Sequence, residues 1–261
     1  MTQNLTLAAR HLPLLVSGNP DHLLQTQALT LAEDGPLRVA YAPFEHIALN
    51  ARLVLVGITP GRTQAIAAIH AAQVASAKGQ SLAETLRSAK LTASFSGAMR
   101  SNLVAMLDGI GVAQHLGLKS AAELFTSRGE HVHLTSALRY PVFKDGENYN
   151  GTPDMIRTPL LRRMLETHLA EEACLLPNAL WLPLGPKAGQ ALRHLVGMGL
   201  LDPTRILDGL PHPSGANGER VAVFMGRKAP GAASRQTNGP ALVAAAKRLT
   251  AQIADLSGAV A

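Results

Sequence analysis

Apolar runs that stop abruptly at glycine- and proline-rich turns, separated by longer Leu/Ala-rich stretches, set the pattern of this chain. Residues 2–16 and 21–33 read as helical stretches parted by Gly18-Asn19-Pro20, with Asp21 as the cap of the second. Residues 37–41 alternate as an edge strand does, and residues 52–58 are apolar throughout after Arg52, the signature of a strand covered on both faces. Helices are predicted over 65–77 and 81–89, and a third opens near Ser96-Gly97, continues through 102–107 and closes at 109–111. A second core strand spans 131–138 and leads into a polar loop over 139–153; a helix over 154–173 follows. A third strand spans 179–184, an Ala/Leu helix follows Gly185-Pro186, and a fourth strand spans 205–210. The last helix spans 240–256, after a loop rich in Gly, Ala and Ser around 234–236. Strands that alternate with helices predict an α/β protein: three α/β/α layers around a central, mainly parallel four-stranded sheet. No repeat, charge block or linker divides residues 1–261, so one domain is expected, with an N-terminal helical elaboration over about 1–36.

Composition narrows this picture only a little. Of 261 residues, 47% are hydrophobic and 16% charged, enough apolar material for one large core. Twenty-four Lys+Arg against 18 Asp+Glu give a net charge of +6, compatible with a nucleic-acid partner but also common in proteins that bind none. The single cysteine, Cys174, excludes an internal disulfide and a four-cysteine metal or iron–sulfur site. It lies late in a helix beside Leu175 and Leu176, where a buried, inert thiol is expected. No stretch approaches the roughly 18 apolar residues of a membrane span. The short run Leu12-Pro13-Leu14-Leu15-Val16 does not read as a secretion signal, so a cytoplasmic protein is expected.

The candidate chemistry lies at two strand ends. Gly57-Ile58-Thr59-Pro60-Gly61 closes the first core strand, and Leu210-Pro211-His212-Pro213-Ser214-Gly215-Ala216-Asn217 closes the last. Ligands of open parallel sheets bind just beyond such ends. In the first turn, Gly57 permits close backbone approach and Gly61 opens a helix whose N-terminal amides favour an anion or carbonyl, with Arg62, Thr63 and Gln64 adding donors. A plain strand-to-helix turn explains the same residues equally well. His212, held between two prolines, is the sharper signal, although a rigid surface loop would also account for it. Phe95 stands in the small, polar setting Ala93-Ser94-Phe95-Ser96-Gly97 and is either an exposed stacking face or a plug between helices. Trp181 reads as core, and His131 and His133 as ordinary strand residues without a third metal ligand.

Taken in order, these segments resemble the uracil-DNA glycosylase superfamily, in a branch without an iron–sulfur cluster. Gly57-Ile58-Thr59-Pro60-Gly61 is similar to its glycine-x-x-proline motif, and Phe95-Ser96-Gly97 with the helix that follows to the segment carrying its base-stacking phenylalanine. Leu134-Thr135-Ser136-Ala137-Leu138-Arg139-Tyr140-Pro141 resembles the strand that offers an asparagine to the base. Leu184-Gly185-Pro186-Lys187-Ala188-Gly189-Gln190-Ala191-Leu192 resembles the strand-turn-helix before the last motif, and His212-Pro213-Ser214 matches the histidine-proline-serine motif. The resemblance covers about residues 50–225.

What the resemblance implies is a base-excision-repair enzyme that flips uracil or a related base out of DNA and hydrolyses its N-glycosidic bond, with no metal or other cofactor. Phe95 would stack on the base, the turn at Gly57 and Ile58 would hold it with the amides near Ile58 and Thr59 bonding its carbonyls, and Ser136 would face its edge. His212 would stabilise charge on the leaving base, and Thr59 would orient water. Gly61, Arg62, Pro213, Ser214, Gly215, Ala216, Asn217 and Arg220 would meet the DNA, with Arg227, Lys228 and Arg235 near phosphates. The partner would be DNA containing uracil or another damaged base, with no membrane or metal cluster involved, and the protein a monomer.

The chain also departs from the pattern. Thr59 stands where the most active branch has an aspartate, Ile58 where the iron–sulfur branch has a glutamate, and Ser136 in place of the asparagine. A hydroxyl cannot serve as a base at neutral pH. Catalysis is then expected to rest on leaving-group stabilisation or on an acid from among Glu45, Asp145 and Glu147. Two rivals accompany this reading: a module that binds flipped bases or abasic DNA without turnover, and a small-molecule enzyme acting on a nucleoside or phosphate.

Overall fold

The computed structural model describes residues 4–94 and 98–258. The chain opens with α1 (Thr6–His11), a 3-10 turn (Leu12–Leu15) and α2 (Pro20–Gln25). Asn19, not Asp21, caps α2: its Oδ1 accepts from the amides of Asp21 and His22 at 2.9 and 3.2 Å. The helix predicted to run to residue 33 stops at Gln25, where Thr26 turns extended, and residues 30–34 form β1 (Thr30–Asp34). β1 pairs antiparallel with β2 (Leu37–Ala40), so the N-terminal elaboration is partly sheet.

β3 (Leu53–Gly57) is buried at all five positions, as its apolar run requires. α3 (Arg62–Ala77) turns Ala65, Ala68, Ile69 and Ala72 inward, a spacing that keeps one face buried. α4 (Leu82–Ala93) starts at a capping box in which Ser81 and Glu84 exchange hydrogen bonds. α5 (Ala98–Gly109) and the short α6 (Val112–Leu116) lead to β4 (Val132–Ser136). The segment expected to be a polar loop instead holds a small hairpin, β5 (Val142–Lys144) and β6 (Glu147–Asn148), turning at Asp145-Gly146. β5 pairs with β2, giving a four-stranded antiparallel sheet in the order β1-β2-β5-β6. Residues 37–41 therefore lie inside a sheet, not at its edge.

α7 (Pro159–Met164), a π-helical turn (Leu165–Leu169) and α8 (Ala170–Leu175) follow one another directly. β7 (Leu180–Pro183) and α9 (Pro186–Gly197) come next, then α10 (Gly218–Phe224) and α11 (Gly239–Gly258). The parallel sheet has the order β4-β3-β7. It has three strands rather than four, because residues 205–210 touch it only through a parallel bridge between Trp181 and Ile206, extended by Leu207 N–H donating to Trp181 O at 2.8 Å. Pro203–Arg205 is a 3-10 turn, and Asp202 caps it.

Alternation along the strands separates two cores. Val54, Val56 and Trp181 face Ala68, Ile69, Leu161 and Leu192, whereas Leu53, Leu55 and Leu182 face Leu103, Leu107, Phe224 and Leu249. The fold is thus mixed α/β, with helices on both faces of a parallel sheet. Among the described residues no helix is long and apolar enough to cross a membrane. Trp181 is fully buried, as its strand setting predicts. Cys174 is exposed, contrary to expectation, because it falls on the outer side of α8 while Glu172 and Ala173 turn inward.

Candidate functional site

The chain leaves β3 for β4 on one side and then returns to β7 on the other, so the carboxyl end of β3 lies where the strand order reverses. In an open α/β sheet that is where a ligand crevice forms. The turn Gly57-Ile58-Thr59-Pro60-Gly61 occupies this point. Gly57 pairs with Ser136 across the ladder, and a Cβ at Gly57 would lie 3.3 Å from Ser136 Oγ, so the absence of a side chain lets the two strand ends close up. Ala137 and Leu138 extend the pairing by donating to Gly57 O and Ile58 O, each at 2.9 Å. The amides of Ile58 and Thr59 find no acceptor among the described residues.

Thr59 is placed differently from its expected role. Its hydroxyl donates to Tyr140 O at 3.0 Å and accepts from Val142 N–H at 3.1 Å, stitching the turn to the start of the β5–β6 hairpin. Arg62 is likewise spent on structure. Its amide donates to Asn148 Oδ1, its guanidinium reaches Asp21 at 3.0 Å and Gly146 O at 3.1 Å, and it lies over the Phe143 ring. It is therefore anchored to the hairpin rather than free to take a DNA phosphate. Gly61 donates to Gln64 Oε1 at 3.1 Å, and Gln64 Nε2 in turn donates to Ala93 O at 3.3 Å, tying the turn to the end of α4.

Beyond β7, Gly185 adopts φ +93°, and a Cβ there would meet the Cβ of His212 at 3.6 Å. His212 thus packs on the turn after β7. Its Nδ1 accepts from Ser214 N–H at 3.2 Å. Burial lowers its pKa, so the ring is neutral near pH 7 and carries its proton on Nε2, a donor with no acceptor among the described residues. After Pro213, Asn217 Nδ2 donates to Ser214 Oγ at 2.9 Å and Arg220 to Asn217 Oδ1 at 2.8 Å, giving the loop internal support. Gly215 and Ala216 sit exposed at its tip. Arg220 also reaches Gln236 O at 3.3 Å, while Lys228 pairs with Glu219 at 2.7 Å. A pocket of about 460 Å³ opens behind His212, lined by Gly185, Pro186, Leu210, Asn217, Arg220 and Leu242 among others.

Phe95 lies outside the described residues. Its flanks, however, are anchored to both turns: Ala93 to Gln64, and Asn102 of α5, whose Nδ2 donates to Pro213 O at 2.9 Å. A cavity of about 20 Å³, room for a water, is lined by Pro60, Gln64, Lys90, Ser94, Thr135 and Ser136.

Of the three carboxylates considered as acids, Asp145 and Glu147 sit exposed at the hairpin tip. Glu45 is fully buried, accepts from Tyr140 Oη at 3.0 Å, and is pushed up to about 7 by burial. Glu45 belongs to an ionic cluster on the β4 side that sequence reasoning missed. Glu172 Oε1 accepts from Arg139 Nε at 2.8 Å, and its Oε2 lies 3.1 Å from His133 Nε2; all three side chains are at most 2% exposed. Burial alone would raise Glu172, but Arg139, Lys90 and His133 outweigh it and hold the carboxyl well below the usual carboxylate range. Burial and Lys90 keep His133 neutral, at about 4. His133 is therefore part of a charge network rather than an ordinary strand residue. Arg139 and His133 lie 33 and 39 positions before Glu172, so no local spacing announces the cluster.

No family model matches the chain, and no solved structure matches it. Over 208 residues the chain is 38% identical to the uncharacterized protein YoxB of Bacillus subtilis (strain 168), an alignment that covers 78% of this chain and 81% of that protein. Identity of this extent, over most of both sequences, places the chain in the same family as YoxB.

Proposed function

We propose that this protein is a cytoplasmic, monofunctional DNA glycosylase of the uracil-DNA glycosylase type, which hydrolyses the N-glycosidic bond of uracil or a related base and leaves an abasic site. One observation carries this reading: the Gly57–Gly61 turn, Ser136 and the His212–Asn217 loop, far apart in sequence, converge on one end of the parallel sheet at its point of reversal. The segments on either side of Phe95 are tethered to the same two turns. The finer fold reading, in which residues 205–210 complete a four-stranded sheet, is supported by the bridge at Ile206.

The chemistry follows from neutral donors. The bond from C1′ to the base nitrogen breaks and negative charge gathers on the departing base; water supplies the hydroxyl to C1′, and its remaining proton passes by way of solvent to the base, which leaves neutral. His212 Nε2–H is preorganised to hydrogen-bond that charge without first losing or gaining a proton. The amides of Ile58 and Thr59 face no competing acceptor and suit a carbonyl of the flipped base. Ser136 lies against Gly57 and meets the base edge, and the exposed Gly215-Ala216 tip enters the minor groove.

A second reading is favoured by Thr59. With both hydrogen-bonding directions of its hydroxyl occupied by the hairpin, it is poorly disposed to position water, which suits a protein that holds flipped or abasic DNA without turnover. Oligonucleotides carrying uracil, hypoxanthine or mismatched thymine, incubated with the protein and cleaved with alkali at abasic sites, decide between the two. Strand cleavage at uracil is the expected result. Salt-dependent binding without cleavage supports the second reading, and neither binding nor cleavage overturns both.

A further inference from the structure

Lys90 is the buried group that the proposed mechanism leaves unused. It lies in the last turn of α4, is 3% exposed, and donates to His46 O at 2.8 Å. Burial lowers its pKa to about 8, which leaves it mostly protonated near pH 7, and no carboxylate among the described residues makes a contact ion pair with it; Glu172, whose charge favours the protonated form, is already held by Arg139 and His133. An ammonium has three donors, and burying one with a single carbonyl partner is costly unless something else takes the rest.

The space beside Lys90 is a cavity of about 250 Å³ along the unpaired side of β4. Lys90, His46 and His133 line its inner part, and Arg87, Leu49 and Leu91 its outer part. His133 Nδ1 accepts from Ala48 N–H at 3.4 Å, and burial together with Lys90 keeps both histidines neutral near pH 7. The inner charge is thus a single ammonium. At the opening, Leu49 and Leu91 are 61% and 38% exposed, a costly display of apolar surface on either side of an entrance. Glu130, the one acid in the lining, is exposed.

We propose that this cavity binds a small organic carboxylate, its carboxylate paired with Lys90 Nζ and its hydrocarbon body between Leu49 and Leu91. The space is slightly below the roughly 300–1,000 Å³ of ordinary ligand pockets, which selects a small ligand over a nucleotide. This cavity opens on the β4 side and includes none of the turn residues, although Lys90 also lines the water-sized cavity beside Pro60 and Ser136; the assignment does not depend on the glycosylase reading.

Titration with benzoate, acetate and inorganic phosphate, followed by amide NMR shifts in residues 46–50 and by melting temperature, tests the proposal. Benzoate should bind, acetate more weakly for want of an apolar body, and phosphate weakest. Lys90→Met should weaken benzoate binding at least about tenfold, the lower end for a hydrogen bond to a charged group. Ala48→Leu, which keeps Lys90 and fills the space, should weaken it as well, so the test survives if Lys90→Met does not fold. Absence of benzoate binding, equal binding to the parent and Ala48→Leu, or tighter binding of phosphate than of benzoate would overturn the assignment.

Discussion

The mouth of the parallel sheet and the ionic cluster beside β4 handle polar groups in opposite ways. In the mouth, the groups are neutral and partly unspent: the imidazole of His212, the amides of Ile58 and Thr59, the hydroxyl of Ser136. In the cluster a buried charge is matched by its neighbours, with the Glu172 carboxylate gripped by the Arg139 guanidinium and the neutral His133 ring. Preorganised neutral donors can follow charge as it develops on a substrate, whereas matched buried charges are committed to one another. The difference supports the proposal that chemistry takes place in the first region, while the second is the strut that holds α4, α8 and the end of β4 together.

The largest effect should come from breaking the strut. Glu172→Leu leaves Arg139 with only the partly exposed Glu171 and takes from the buried Lys90 and His133 the carboxylate whose charge faces them; breaking a buried pair in this way typically costs about 3–5 kcal/mol. Urea unfolding should show that loss, while any turnover by the protein that remains folded is retained. A stable Glu172→Leu protein with lost activity would reverse the assignment of the two regions.

His212→Ala should do the opposite, costing about 10²–10³ in single-turnover rate, or roughly 2.7–4 kcal/mol, with the melting temperature unchanged. Because burial lowers the His212 pKa, the neutral donor persists through pH 6.5, and activity should decline only below the ordinary histidine range. A rate that climbs on acidification through pH 6.5 would show that a protonated ring, not a neutral one, assists departure.

These two regions were not equally legible in the sequence. The turns at Gly57–Gly61 and His212–Asn217 interrupt apolar runs, and that break in pattern is local, so both could be read from residue order alone. The cluster is invisible at that level, because Lys90, His133, Arg139 and Glu172 meet only after α4, β4 and α8 have packed. The antiparallel sheet escaped for a related reason. Only β2 announced itself, as the alternating run at 37–41; β1, β5 and β6 are two to five residues long, and β6 is exposed at both positions, so they carry no periodic signal. Thr59 illustrates the remaining gap, since its motif position was clear but its partners, Tyr140 and Val142, belong to the hairpin that the pattern did not reveal.

The pH dependence of stability sharpens the contrast further. Burial holds His46, His133 and His168 at about 4, below the ordinary 6.5, so between pH 6.5 and about 4 the unfolded chain binds more protons than the native one at these three sites. Stability should fall on acidification across that window. Glu45, raised to about 7, acts against them, since its native carboxyl takes up a proton as pH falls from about 7 towards 4.5. His115 and His212, which burial also lowers, act with these three, and together they outweigh Glu45 and predict a net loss, visible as a falling urea midpoint. In Glu45→Gln the opposing contribution is gone and the slope should steepen; an unchanged slope would remove Glu45 from the account.

The smallest expected effect lies at Thr59, where the two regions touch through Tyr140. Thr59→Val keeps the shape but removes both hydrogen bonds, leaving Val142 N–H and Tyr140 O to find water in a half-buried site, at a cost of about 1 kcal/mol. Thr59→Ser should be almost silent. Thr59→Asp can still accept from Val142 N–H, but it would set a carboxylate against the Tyr140 carbonyl that now receives the hydroxyl proton, so the side chain should swing away from the hairpin. If it swings into the mouth it supplies a base, and a positioned general base adds typically about 10²–10⁴-fold. Thr59→Val that melts lower yet turns over at the parent rate places Thr59 with the strut. Thr59→Val that melts with the parent but loses turnover places it with the mouth, its hydroxyl holding water after all.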